Sequence, residues 1–336
     1  MFRIAHALQS PSCQHMTTQL QKSMSPRAWA ELCVLALIWG GSFLSIRVAL
    51  NEMGPLTVVA YRVGLAAVIL WAYVAWRGLA VPRSARLWVG FAGMGLLNNV
   101  IPFSLMAWGQ LHIETGLTAI LNAGTAIFGV LAAAVFFADE RLTLRRAIGT
   151  ALGFAGVATA IGLDQLGALD PRSLGQLAVI GGTVSYALAG VWARKRLVGL
   201  PPQIAAAGML TAATAIILPA AWLIEGPLPL PRAPATWAAI GYYAVIATAL
   251  AYLMYYRVLA MAGSGNLMLV TLLIAPVAIL LGAVALNEAL PPHAYAGFAL
   301  LAAGLIVLNG RGLRQSARRA GPVPRPLSPD GPLSAP

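Results

Sequence analysis

The sequence predicts an all-α polytopic membrane protein of ten transmembrane helices, arranged as two inverted five-helix repeats. Three observations carry that prediction: a scarcity of charge, ten apolar runs of spanning length, and self-similarity at one fixed offset. Of 336 residues, 59% are hydrophobic and only 10% are charged, whereas soluble domains carry roughly 25% charged residues. So few charges cannot cover a water-facing surface, which argues against a soluble enzyme, a nucleic-acid-binding domain and a disordered chain. The net charge of +12 lies in short clusters between apolar runs and in the C-terminal tail. In a membrane protein that is topology information, and no nucleic-acid partner is expected.

Residues 1–26 form a polar leader without the apolar core of a signal peptide. Met24 directly precedes Ser25, Pro26 and the first apolar run, so translation is expected to start at Met24 or Met16. An intact mass that includes Met1 would end that idea. The apolar segments then run roughly over 29–50, 57–76, 87–109, 116–138, 144–163, 174–193, 203–224, 236–259, 265–287 and 294–310. Each is near the length of about 20 residues that a spanning helix needs, and no amphipathic strand pattern competes. Gly54-Pro55, Pro82-Arg83, Asp170-Pro171, Pro201-Pro202 and Pro291-Pro292 punctuate the chain between runs. The tail, 311–336, is rich in Pro, Arg and Ser and reads as disordered.

Topology follows from the basic residues. With the N-terminus cytoplasmic, the inter-span Lys and Arg fall on the cytoplasmic side, and Arg172 and Arg232 alone face out. That bias puts both termini inside. A shift of 148 residues lays Leu105-Met106 on Leu253-Met254, Glu140 on Glu288, Gly149 on Gly297 and Ala155-Gly156 on Ala303-Gly304. One offset serving four helices indicates a duplication, with one repeat over 27–163 and the other over 164–310. Five spans per repeat is an odd number, so the halves must be inverted. Inverted repeats are typical of secondary transporters, with the substrate near the midplane between the halves.

Several segments, taken in order, resemble the EamA-type transporters of the drug/metabolite transporter superfamily over about residues 27–310. They are Ile38-Trp39-Gly40-Gly41-Ser42-Phe43, Gly54-Pro55 with Tyr61-Arg62, Asp139-Glu140-Arg141-Leu142-Thr143, and Leu272-Leu273-Ile274-Ala275-Pro276-Val277 ending at Glu288. Two places depart from the family pattern. Thr125-Ala126-Ile127 stands where a proline is usual, and Asn287-Glu288-Ala289 where Gly-Glu-Arg is usual. The resemblance implies a bacterial inner-membrane exporter of small metabolites, often amino acids or their relatives. It also marks Glu140 and Glu288 as repeat-end glutamates of the family.

Polar groups inside the spans mark the candidate pathway, because lipid exposure of them is costly. Arg47 and Arg62 are the basic residues within apolar spans, both towards the outer end. Each is either a snorkelling or ion-paired arginine, with Glu52 or Glu114 in reach, or part of an anion-attracting vestibule. Asn98 and Asn99 sit at mid-span and should point about 100° apart on a helix, one towards a neighbouring helix and one towards the pore. Asn122 poses the same choice between interhelical bond and substrate contact. Trp39 is a candidate cavity wall, a role that the family motif favours over plain packing. Tyr186 and Tyr252 are mid-span and need a partner or a wet cavity for their hydroxyls. Tyr255 and Tyr256 read as anchors near the inner face. Pro276 is either a structural kink or a gating hinge.

The remaining features set bounds. Gly149, Gly153 and Gly297 allow close helix approach, and the fifth and tenth spans read as scaffold, with a homodimer contact as a candidate role. Cys13 and Cys33 are not placed for a disulfide. No metal spacing, cofactor motif or phosphate-cradling nucleotide loop is present, and no carboxylate or histidine lies at mid-membrane. The expected partners are a small-molecule substrate and the lipid bilayer. A secondary exporter is the leading reading; import or exchange of another solute, an intramembrane enzyme, and a membrane scaffold or sensor are the alternatives.

Overall fold

The computed structural model describes residues 24–81, 83–113, 115–170, 173–286 and 292–319. Among these every regular element is helical. The first rod is α1 (Pro26–Gly40) and α2 (Ser42–Leu50), followed by α3 (Pro55–Trp76). The third rod is α4 (Ala85–Gly95), a π-helical turn at Leu96–Val100, and α5 (Ile101–Gly109). Helices α6 (Thr115–Ala123) and α7 (Thr125–Phe136) precede α8 (Leu144–Ile161). The second half brings α9 (Leu174–Arg196) and α10 (Pro202–Glu225). Next come α11 (Pro234–Gly241), a π-helical segment at Tyr242–Leu250, and α12 (Ala251–Ala262). The chain closes with α13 (Ser264–Leu267), α14 (Val270–Leu286) and α15 (Pro292–Arg319).

Local chemistry sets many of these ends. Ser25 Oγ accepts from Ala28 N at 3.1 Å, Thr143 Oγ1 from Arg146 N at 3.3 Å, and Ser173 Oγ from Gln176 N at 3.5 Å. Each satisfies an otherwise orphaned N-terminal amide. Proline opens α1, α3, α10 and α11, where its missing N–H costs nothing.

Among the described residues seven stretches are long and apolar enough to cross a membrane: Pro26–Leu50, Pro55–Trp76, Ala85–Gly109, Leu117–Phe136, Leu174–Arg196, Pro202–Glu225 and Pro234–Ala262. The other three expected segments fall on α8, on α13 with α14, and on α15. Two of these carry shorter apolar stretches, Ser264–Val277 and Pro292–Leu308. Helix α15 continues past Gly310 to Arg319, where composition alone reads as irregular. Large apolar side chains point outward around the bundle, with Leu223 83% and Val135 79% exposed. That surface suits lipid and would be unfavourable in water. The chain is a polytopic, multi-pass membrane protein.

Rods are interrupted where the cavity lies. At Gly41 a Cβ would sit 2.6 Å from Tyr242 Oη. There Ser42 Oγ donates to Trp39 O at 2.6 Å and Tyr242 Oη to Ile38 O at 2.7 Å, taking up carbonyls at the break. The π turn at Leu96–Val100 is followed by Pro102, which cannot donate to the Asn98 carbonyl, and Ile101 N donates instead to Leu96 O, one residue further back than in an α-helix. The second π segment is held by Thr248 Oγ1, which donates to Tyr243 O at 2.7 Å. Helices α8 and α15 meet along a glycine seam, where a Cβ on Gly304 would lie 2.6 Å from Gly153 N and 2.7 Å from Gly149 O. These glycines are therefore used within the chain.

Candidate functional site: a cavity between the two halves of the chain

Between the interrupted rods lies a cavity with ≈ 750 Å³ of atom-free space, its open mouth included, of which ≈ 80 Å³ admits the centre of a water-sized sphere. The enclosed ≈ 80 Å³ is smaller than the roughly 300–1,000 Å³ of ligand pockets, so a metabolite needs a more open state than this one. Trp39, Arg62, Asn98, Asn122, Tyr186 and Tyr252 all line it. Residues distant in sequence thus share one compartment.

Arg62 is the only one of them that carries charge. It is 5% exposed. Nε donates to Thr248 Oγ1 at 2.7 Å, Nη1 to Tyr243 Oη at 2.6 Å and Nη2 to Ala247 O at 3.4 Å. Its Cζ lies 3.5 Å from the Phe103 ring centroid and 3.9 Å from that of Tyr243. Cation–π contact and three acceptors offset part of its desolvation. No carboxylate pairs with it among the described residues. The expected Glu52 partner is engaged elsewhere. Its carboxylate accepts from Arg232 N at 2.7 Å, Ala233 N at 3.1 Å and Thr236 Oγ1 at 2.8 Å, capping α11. Those backbone and side-chain hydrogen bonds, the Arg232 amide first, hold Glu52 below the usual carboxylate value. Glu114 lies outside the described residues. Arg47 is exposed and donates to the Gln110 carbonyl at 2.7 Å.

The two asparagines do not diverge as a regular helix would require. Asn98 Nδ2 and Asn99 Nδ2 both reach Tyr252 Oη, at 3.0 and 2.9 Å. The widened π turn lets neighbouring amides converge on one hydroxyl. Asn98 faces the cavity, while Asn99 is fully buried beside it. Trp39 Nε1 donates to Ala247 O at 2.9 Å, and its ring meets Tyr252 edge-on at 6.3 Å between centroids. Tyr186 packs against Phe103 in the same way, also at 6.3 Å.

Some placements differ from expectation. Tyr255 and Tyr256 are buried at 2% and 5% exposure rather than anchored at an interface, and Tyr255 lines the cavity. Both lie on α12, which packs against α1 and α10. Trp71 Nε1 donates to Thr211 Oγ1 at 2.6 Å. Pro276 lies within α14 but is not part of the cavity wall. Glu140 belongs to a separate buried cluster. It accepts from Arg146 Nη2 at 3.3 Å, Ser264 Oγ at 3.1 Å and Gly265 N at 3.2 Å, and it pairs with Arg194, which also holds Asp139. Its repeat counterpart Glu288 lies outside the described residues.

Sequence patterning passed over Gln110, Thr125, Tyr243 and Thr248. Gln110 follows the end of an apolar run, and threonines are common in membrane helices. Gln110 and Thr125 line the cavity at 1% and 0% exposure, with no partner for either Gln110 side-chain atom or the Thr125 hydroxyl among the described residues. The one available signal was Thr125 standing where the family pattern has proline. No group of three or more His, Cys, Asp or Glu among the described residues is placed to hold a metal.

Apolar helical rods around an internal cavity with a few polar side chains define the class, a polytopic membrane protein. Comparison with known proteins gives the family. The model of the EamA-like transporter family matches residues 29–162 and again 173–310, and the chain belongs to that family. It is 28% identical over 306 residues to a probable terminal-alkyne amino-acid exporter of Streptantibioticus cattleyicolor, covering 89% of this chain and 99% of that one. It is 26% identical to an uncharacterized transporter of Archaeoglobus fulgidus, over 79% of this chain and 91% of the relative. An uncharacterized inner membrane transporter of Escherichia coli, YedA, is 25% identical over 59% of this chain and 62% of its own length. A crystal structure shares the fold at a TM-score of 0.71 and 20% identity, covering 86% of this chain and 98% of that one.

Proposed function

We propose that the protein is a secondary transporter that exports a small metabolite, an amino acid or related compound, across the bacterial inner membrane by alternating access. Ten spans form two inverted five-helix repeats, with both termini cytoplasmic. The observation that carries this reading is the symmetry of the packing. Helix α5 packs on α9 as α12 packs on α1, α7 on α9 as α14 on α1, and the π turn at Leu96–Val100 on α10 as the second π segment on α3. Exchanging the halves at the 148-residue offset maps each contact onto its counterpart. The same offset lays the π turn at Leu96–Val100 inside the one at Tyr242–Leu250. Two packed halves with a cavity between them can rock about that site.

The relatives' names support transport, and the name of the Streptantibioticus protein favours export of an amino-acid-like solute. The test is flux in proteoliposomes over a panel of amino acids and related metabolites, with Arg62→Ala and Asn98→Ala in parallel. Saturable flux lost in well-folded variants is the expected result. Wild-type protein that folds but carries no solute across a broad panel would favour a scaffold or sensor.

A further inference from the structure

We propose that the cavity recognises its substrate by a carboxylate held on Arg62, and that it favours carboxylic acids lacking a free α-ammonium over zwitterionic amino acids. This rests on the transporter reading and narrows its substrate class. Guanidinium carries five N–H donors in a rigid fork. Three are used by Thr248, Tyr243 and Ala247, and two remain on Nη1 and Nη2. A carboxylate takes two parallel N–H bonds from such a fork. A nearly buried cation with no carboxylate partner among the described residues is an unfavourable arrangement that an entering anion relieves.

The rest of the wall supplies no second charge. The described lining residues include hydroxyls, amides and aromatic rings, but no Asp or Glu. An α-ammonium sits two bonds from its carboxylate carbon, so docking that carboxylate brings the ammonium beside Arg62, where like charges repel. What the wall offers is neutral: the Gln110 amide and the hydroxyls of Thr125 and Tyr255, none of them partnered among the described residues. These suit a keto, hydroxyl or amide group. Phe103, Tyr186, Met268 and Ile274 supply an apolar surface for the body of the molecule.

Binding to the purified full-length chain tests this with four congeners sharing one phenyl body: 3-phenylpropanoate, phenylalanine, phenethylamine and 3-phenylpropanol. Tryptophan fluorescence reports occupancy, since Trp39 lines the cavity. The carboxylate is expected to bind at least about tenfold tighter than phenylalanine, with the amine and alcohol weaker still. Arg62→Gln should abolish the difference between acid and alcohol, and Arg62→Lys should restore part of it. Phenylalanine or the amine binding as tightly as the acid overturns the proposal, as does no binding of the acid at millimolar concentration. The ranking is read on wild-type protein, so it stands even where Arg62→Gln does not fold. Counterflow of the tightest binder in liposomes separates the two readings. Arg62-dependent binding without saturable flux removes the transporter and leaves the carboxylate site. Saturable flux with a preference for the zwitterion does the reverse.

Discussion

Arg62 and Tyr243 join the two halves of the chain inside the cavity: Nη1 donates to the phenol oxygen at 2.6 Å, and the guanidinium carbon lies 3.9 Å from the centre of the same ring. Tyr243→Phe removes the acceptor and keeps the ring. A hydrogen bond to a charged group contributes about 1.5–3 kcal/mol, so the variant should unfold at lower temperature in detergent. Arg62→Ala should lower transport by a factor of about ten or more. A Tyr243→Phe protein as stable as wild type would mean that the phenol oxygen does not hold Arg62.

Asn98 and Asn99 share one hydroxyl, so their losses should not add. Tyr252→Phe is expected to cost about as much as the double substitution Asn98→Ala/Asn99→Ala, on the scale of ~0.6 kcal/mol typical of interhelical bonds in membranes. A double-mutant cycle on unfolding reads this directly. Full additivity would place the two amides on separate partners. Asn98→Ala should also change substrate affinity more than Asn99→Ala, because Asn98 alone faces the cavity.

Glu52 makes the α11 end pH-sensitive. Its carboxyl is held below the ordinary value of 4.5 by the Arg232 amide, the Thr236 hydroxyl and the Ala233 amide. A depressed folded-state value stabilises the fold fully above 4.5, and this is lost as pH falls through the lower folded value. Glu52→Gln should therefore be less stable than wild type at neutral pH, with the gap closing below pH 4.5. Parallel denaturation curves at neutral and acid pH measure the gap, and a constant gap would contradict the capping role.

Glu140→Gln removes the carboxylate that Arg146, itself 3% exposed, and Arg194 share. Breaking a buried pair from one side costs about 3–5 kcal/mol. The expected outcome is poor yield of folded protein, read by size-exclusion chromatography. Asp139→Asn should be milder, since its side chain is 25% exposed and Arg194 keeps Glu140.

The α8–α15 seam should not tolerate a methyl group. On Gly156 a Cβ would lie 2.8 Å from the Gly297 carbonyl, and on Gly304 2.7 Å from that of Gly149. Backbone cannot move aside as a side-chain tip can, so Gly156→Ala should cost about 1–3 kcal/mol. Gly167→Ala meets nothing within 4 Å and serves as the neutral control. Thermal unfolding of the pair decides it.

Much of the candidate site was legible because a membrane makes polarity conspicuous. Arg62, Asn98, Asn122, Tyr186 and Tyr252 stood out as the polar members of apolar runs, and they line one cavity. Gln110 and Thr125 did not stand out. Their residue types fit loops and ordinary membrane helices, and their burial without partners among the described residues depends on neighbours far away in sequence. The Glu52 pairing was misjudged for a related reason. Proximity along the chain suggested arginine, whereas the competing donors lie at Arg232, Ala233 and Thr236, some 180 residues distant.

By itself the sequence determined the helical class, the membrane-spanning character and the family. Hydropathy and motif order are properties of the chain read locally, and lipid admits few backbone solutions. Tertiary structure decided the rest. It broke the rods at Gly41 and ahead of Pro102, turned Asn98 and Asn99 onto one phenol, and set Arg62 between two rings. It also left Gln110 and Thr125 facing the cavity without partners among the described residues. Those arrangements arise from contacts between helices whose register no local pattern encodes.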